Sequence, residues 1–286
     1  MIIGERQFQE KGHTYVMGIL NITPDSFSDG GKYNQSDKAL KHVEQMITDG
    51  ADIIDIGGES TRPGYEKISV EEEVERVCGM IGKIKSRFSV PVSIDTYKSE
   101  VAKEAIMAGA DMVNDIWGLR FDAFSTPEEA EKIYSAGSMA QVVADFDVPV
   151  CIMHNRREAV YDYFPSEVLS DLQESLNVAR DAGIARSKII LDPGIGFGKT
   201  YEMNLCMMKN LGLMSTFGLP VLLGTSRKSM IGLTLDLPVE EREEGTLVTT
   251  VMAVQAGCMF VRVHDVKKNV RAIKMTETIL ETEKNI

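Results

Sequence analysis

A few polar side chains in this sequence carry the clearest chemistry. Asp95, Asn114 and Asp192 are acceptors or mixed donor-acceptors on short stems, suited to reading a flat heterocycle that presents several N–H groups. Ile116, Met153 and Phe197 offer apolar walls beside them. A pterin or a purine fits such a set. Arg262 and His264 stand two apart, so on a strand both face the same side, and Lys228, Ser229, Arg62 and Asn21 can join them. Arg262 would clamp an anion bidentately while His264 adds a hydrogen bond, which suits a diphosphate. Taken one at a time these residues have commoner uses, as strand-terminal caps, structural salt bridges or surface pairs. Only their convergence on one mouth favours a functional reading.

Convergence requires elements that aim them. The chain holds eight apolar runs, at 16–20, 52–56, 92–94, 111–113, 148–153, 189–191, 221–223 and 259–263, each with a plausible helical stretch behind it. The first run gives way at Asn21 to a polar loop containing Pro24, Gly30 and Gly31. The following stretch, 36–49, places Ala39, Leu40, Val43, Met46 and Ile47 on one helical face and stops at Gly50. One phrase recurs where helix passes to strand: Asp49-Gly50-Ala51-Asp52, Ala108-Gly109-Ala110-Asp111 and Ala256-Gly257-Cys258-Met259. Strands alternating with helices imply a parallel sheet, and eight of them predict an α/β fold, a (β/α)8 TIM barrel, with an open doubly wound sheet as the alternative.

The expected organisation is one barrel domain over residues 1–286. Residues 1–15 are a polar lead-in with a turn near Gly12, read as a hairpin covering one end. Residues 119–125 form a long connection, either a lid on the active face or a tolerated surface insertion. Thr126, Pro127 and Glu129 after it resemble an N-cap, an N1 proline and a capping-box acid.

Composition removes several classes. A net charge of −12 argues against a general grip on nucleic acid, although local basic residues can still hold a small anion. No apolar run approaches a membrane span, and the first residues lack the basic start and apolar region of a signal peptide, so the cytoplasm is the expected location. The four cysteines are widely separated, which favours reduced core thiols over disulfides or zinc. His154 reads as a hydrogen-bonded core histidine, and the 16 methionines as core filling. The glycine-rich run 194–199 fits neither a Walker loop nor a dinucleotide fingerprint.

Five separated motifs then agree in order with one family: Asn21-Ile22-Thr23-Pro24-Asp25-Ser26-Phe27-Ser28-Asp29-Gly30-Gly31, Gly57-Gly58-Glu59-Ser60-Thr61-Arg62-Pro63-Gly64, Asp192-Pro193-Gly194-Ile195-Gly196-Phe197-Gly198-Lys199, Thr225-Ser226-Arg227-Lys228-Ser229 and Arg262-Val263-His264-Asp265. On these the chain resembles the dihydropteroate synthases, folate-pathway transferases that sulfonamides inhibit. The resemblance implies condensation of 6-hydroxymethyl-7,8-dihydropterin diphosphate with p-aminobenzoate, with Mg2+ as cofactor. It implies that Asp95, Asn114, Asp192 and Lys228 hold the pterin between Ile116, Met153 and Phe197. Arg262, His264 and Asn21 would hold the diphosphate, with Asn21 also touching the metal. Phe27, Thr61, Arg62, Pro63 and Ser229 would shape the p-aminobenzoate pocket. Lys228, Asp192, Asp95, Arg62 and Asp29 would be the catalytic set, Asp29 and Arg62 arriving as their loops close. The family is usually a homodimer through its late helices, and the uncharged stretch 245–256 suits either a dimer face or a buried barrel helix. Two rival readings share a pterin site: a corrinoid methyltransferase and a pterin-binding module without catalysis.

Overall fold

The computed structural model describes residues 1–9, 11–22, 32–59, 67–121 and 138–282. Phe27, Asp29, Thr61, Arg62 and Pro63, the capping residues Thr126, Pro127 and Glu129, and residues 122–125 of the long connection lie outside that range.

Among the described residues a short antiparallel hairpin, β1 (Ile2–Ile3) and β2 (Arg6–Gln7), precedes eight parallel strands. These are β3 (Tyr15–Asn21), β4 (Ile53–Gly57), β5 (Val92–Asp95), β6 (Met112–Asp115), β7 (Val150–Met153), β8 (Ile189–Asp192), β9 (Leu222–Leu223) and β10 (Phe260–Val263). Their order is β8-β7-β6-β5-β4-β3-β10-β9, and a parallel bridge between Leu191 and Val221 joins the first of these strands to the last. The sheet therefore closes, as the barrel expectation requires and an open sheet does not. Its strands are buried on both faces, which explains their nearly unbroken apolar sequences.

Helices cover the outside: α1 (Lys32–Thr48), α2 (Val70–Arg87), α3 (Ser99–Met107), α4 (Met139–Phe146), α5 (Ser166–Asp181), α6 (Tyr201–Lys209), α7 (Ser229–Leu235), α8 (Glu243–Gln255) and α9 (Val266–Glu281). None is long and apolar enough to cross a membrane. Helix α2 shows the local logic. The Ser69 side chain accepts the Glu72 N–H, acids fill the first turn and Lys85 and Arg87 the last, complementing the helix dipole. The recurring glycines Gly50, Gly109 and Gly257 end helices with φ of 103°, 113° and 74°. In two of those phrases the following aspartate ties down a neighbouring strand. Asp52 accepts the Val16 N–H and Asp111 the Val92 N–H, each at 2.8 Å.

Strand alternation sorts the interior into layers. Met17, Ile53, Met112, Cys151, Ile190, Leu222 and Phe260 form an apolar floor. The hairpin is a plug under that floor, with Ile3 and Phe8 joining the same buried cluster and the Phe8 ring edge-on to Tyr15 at 4.9 Å. The hairpin's own turn falls at Gly4 (φ 58°), the chain bends again at Gly12 (φ 86°), and the lead-in is less polar inside than its composition suggested, since Ile3 and Phe8 are fully buried. Gly4 is required there, because a Cβ would lie 2.6 Å from Asp111 Oδ1.

Candidate active site

Two residues beyond four of the floor positions, on the same face, the interior turns polar. Ile53 leads to Asp55, Met112 to Asn114, Ile190 to Asp192 and Phe260 to Arg262, while Cys151 leads to Met153 and Leu222 to Gly224. One step further stand Gly57, Ile116 and His264. Thus the floor and the site are one alternating pattern read at two heights.

Arg262 organises the centre. Its Nε donates to Asp55 Oδ2 at 2.5 Å and its Nη2 to Asp95 Oδ2 at 2.6 Å, and Asn114 Nδ2 donates to Asp55 Oδ2 at 3.3 Å. Two carboxylates share one guanidinium, so the cluster cannot ionise fully without cost. Burial pushes the Asp95 carboxyl up to about 7, against the pull of Arg262 and with the push of the Asp55 charge. For Arg262 burial opposes the charge, and the two carboxylates outweigh it and raise the guanidinium pKa. Asp55 Oδ1, Asp95 Oδ1 and the Ser93 hydroxyl are buried without a hydrogen-bond partner. Each such atom costs on the order of 1–3 kcal/mol, which a ligand N–H would offset.

Asp192 and Lys228 face each other across the neighbouring strands. Asp192 Oδ1 accepts the Gly194 N–H at 2.7 Å, and a Cβ built on Gly224 would sit 3.6 Å from Asp192 Oδ2 and 4.0 Å from Lys228 Nζ, so the glycine keeps the space between them open. Burial raises the Asp192 pKa against the Lys228 charge and lowers the Lys228 ammonium to about 8 against the Asp192 charge. Lys228 Nζ donates to the Ile195 carbonyl and stands 4.6 Å from the Phe197 ring centroid. Phe197 in turn packs on one apolar cluster with Ile116 and Met153, so the three expected pterin walls are neighbours.

At the end of β10 the Ser226 hydroxyl accepts the His264 backbone N–H at 3.2 Å and meets His264 Nδ1 at 3.0 Å, fixing the ring. Arg227, at φ 57°, pairs with Asp265 at 2.8 Å and ties this loop to the next strand end. Asn21 closes β3 beside Gly57, where a Cβ would come 3.6 Å from its Oδ1 and 3.7 Å from Asp95 Oδ2. Ser229 is exposed and opens α7.

The structure thus gathers Asp95, Asn114, Asp192, Lys228, Arg262 and their apolar walls. Arg262 differs from the simple anion clamp, since two arms of its fork are held by Asp55 and Asp95. Sequence reasoning misses Asp55 because it sits inside an apolar run, although a charge at a strand's inward position is its visible signal. Asp115 has a local task, accepting the Trp117 and Leu119 N–H groups at 2.8 and 2.7 Å. Leu119 and Phe121 are buried, and the Phe121 ring lies 4.8 Å from Tyr97, so the described start of the long connection is packed down rather than raised as a lid. His154 is the satisfied core histidine expected, bonded to Asp171 and Lys199 and lowered by burial to about 4. All four cysteines are free thiols, and burial raises the Cys151 and Cys258 pKa values.

A closed parallel barrel whose strand ends converge acceptors and cations between apolar walls defines a heterocycle-binding barrel enzyme, and residues 17–264 match the family described as pterin binding enzyme. A dihydropteroate synthase of Clostridium beijerinckii is 56% identical over 281 residues, 98% of this chain and 99% of that one. Among solved structures, a dihydropteroate synthase from Clostridium difficile with pteroic acid superposes at a TM-score of 0.88 with 44% identity, covering 96% of this chain and 100% of its own. The Yersinia pestis dihydropteroate synthase with a sulfonamide drug gives 0.86 and 36%, with 99% of each chain covered. The chain belongs to the dihydropteroate synthase family.

Proposed function

We propose that this site joins 6-hydroxymethyl-7,8-dihydropterin diphosphate to p-aminobenzoate, releasing pyrophosphate, by an SN1-like substitution in the cytoplasm. The observation that carries the reading is the upper interior layer, where buried, partly unpaired carboxylates meet Lys228 and Arg262 beside an apolar wall. Asp95, Asn114 and Asp192 accept pterin N–H bonds, and Lys228 supplies a donor against the same ring. Loss of the diphosphate leaves positive charge delocalised into the dihydropterin, and the Asp95 and Asp192 carboxylates stabilise it within a low-dielectric pocket. Arg262, His264 and Asn21 lie at the strand ends toward which the diphosphate departs. The arylamine is neutral at pH 7 and attacks through its nitrogen lone pair, its surplus proton passing to water or the released pyrophosphate, so no covalent enzyme intermediate and no strong base are needed. Phe27, Thr61, Arg62, Pro63 and Ser229 shape the arylamine pocket by family resemblance, with Asp29 and Arg62 excluding water that would trap the cation.

The donor set suits Mg2+. Asn21 offers a hard amide oxygen near Asp95, the ligand type Mg2+ takes alongside substrate phosphates. Bound there through Asn21, it would neutralise charge on the leaving diphosphate. A homodimer is proposed from α8 and α9, which pack on each other and expose Val248, Met275, Ile279 and Leu280 at 56–61%.

Pyrophosphate release from the dihydropterin diphosphate with Mg2+, measured with and without p-aminobenzoate, tests the reaction. Release that rises with p-aminobenzoate and yields dihydropteroate is expected, and Asp192→Asn should lose most of the turnover. Full turnover in Asp192→Asn would remove the electrostatic role.

A further inference from the structure

Outside the groups assigned to substrate lies a second charged cluster, and it grips the loop 194–199. The Lys199 ammonium donates to the Gly194 carbonyl at 2.9 Å, the Phe197 carbonyl at 3.1 Å and His154 Nδ1 at 2.8 Å. Three donors meet three neutral acceptors, which fills the ammonium's capacity. A lone pair at Nδ1 places the imidazole proton on Nε2, which donates to Asp171 Oδ2 at 3.0 Å. Asp171, on α5, is also held by Arg156, from Nε at 2.6 Å and Nη2 at 3.1 Å. The Arg156 guanidinium lies 4.1 Å from the Tyr161 ring centroid, and the Tyr161 hydroxyl donates to the Gly198 carbonyl at 2.7 Å. Three backbone carbonyls of one loop are therefore tied to one carboxylate on the outer helix.

The loop also has no slack against the segment beneath it. A Cβ on Gly194 (φ 68°) would fall 1.8 Å from the His154 carbonyl oxygen, and one on Gly198 (φ 52°) 2.5 Å from that of Arg156. What the loop carries into the site is Phe197, packed on Ile116 and Met153 with Lys228 over its ring. One of the carbonyls that Lys199 holds belongs to Phe197 itself.

We propose that Lys199, through His154 and Asp171, is a positioning residue that sets the Phe197 ring as a wall of the pterin pocket. The inference rests on the reading of this pocket as a pterin site. It requires that the effect of Lys199 on pterin binding pass through Phe197, whereas a merely structural strap would act independently of that ring.

A double-mutant cycle separates the two. Fluorescence titration of 6-hydroxymethylpterin is run on wild type, Lys199→Met, Phe197→Ala and the double variant. Each single change is expected to weaken binding about tenfold, and the double to bind within about twofold of the weaker single. At saturating pterin diphosphate, KM for p-aminobenzoate should stay within about twofold in Lys199→Met. A double variant weakened about a hundredfold, or Lys199→Met binding like wild type, overturns the proposal. Should Lys199→Met fail to fold, Tyr161→Phe and His154→Gln take its place in the cycle, where coupling to Phe197→Ala supports the proposal and additivity overturns it. Wild type that binds no pterin would instead overturn the reading of the site on which the proposal stands.

Discussion

At the scale of single residues the site works by unequal ionisation. Burial, and after it the neighbouring Asp55 charge, push the Asp95 carboxyl up to about 7, and in the proposed reaction its ionised form is the one that would stabilise a cationic pterin. Lys228 at about 8 and Lys199 at about 7 are lowered by burial, and each holds its pocket contacts best while protonated. Turnover should therefore rise with pH as Asp95 loses its proton and fall as the lysines lose theirs. A narrow bell in kcat/KM, with its maximum at about pH 7, is expected, the flanks belonging to clusters and not to lone groups. In Asp95→Asn the ascending limb of the residual rate should vanish. Asp192 is legible in the sequence because it stands where an apolar run stops, and Arg262 and Lys228 because they belong to polar motifs at or just beyond the ends of their runs. Ser226 and Asp55 are not, because their roles exist only through His264 and Arg262, residues 38 and 207 positions away.

At the scale of elements, the strands and helices are readable from periodicity and glycine, while the hairpin's function comes from tertiary contact. A two-stranded ribbon has little stability alone, so β1 and β2 persist by burying Ile3 and Phe8 against the barrel floor. Arg6 also pairs with Asp52 at the start of β4. Phe8→Ala should therefore cost about 3–5 kcal/mol in urea unfolding and leave pterin affinity unchanged, since Phe8 packs under the floor and the site lies above it. A change in pterin affinity at intact stability would contradict the separation of floor from site. The glycine phrases are visible in sequence as helix stops. That their aspartates also cap the neighbouring strands needs the fold, because the partners Val16 and Val92 precede Asp52 and Asp111 by 36 and 19 residues.

At the scale of the whole molecule, some of the exposed apolar side chains lie on the two last helices, α8 and α9. Val248 on α8 and Met275, Ile279 and Leu280 on α9 are large and more than half exposed, an arrangement better satisfied against a second copy than in water. Sedimentation should show a dimer for the wild type and a monomer for Ile279→Asp combined with Met275→Asp. A monomeric wild type would leave this face without a partner. The uncharged stretch 245–256 divides its residues, burying Thr246, Thr249, Thr250, Ala253 and Val254 while exposing Val248.

The sequence by itself determined the barrel class, the strand ends that face the mouth and the residue types available there. It could do so because a side-chain period of two and helix-stopping glycines are local properties of the chain. Only the tertiary structure decided how those groups share charge. Arg262 divides itself between Asp55 and Asp95, Lys199 reaches back to His154, and the hairpin closes the floor, because closure of the sheet sets distances that local sequence does not carry.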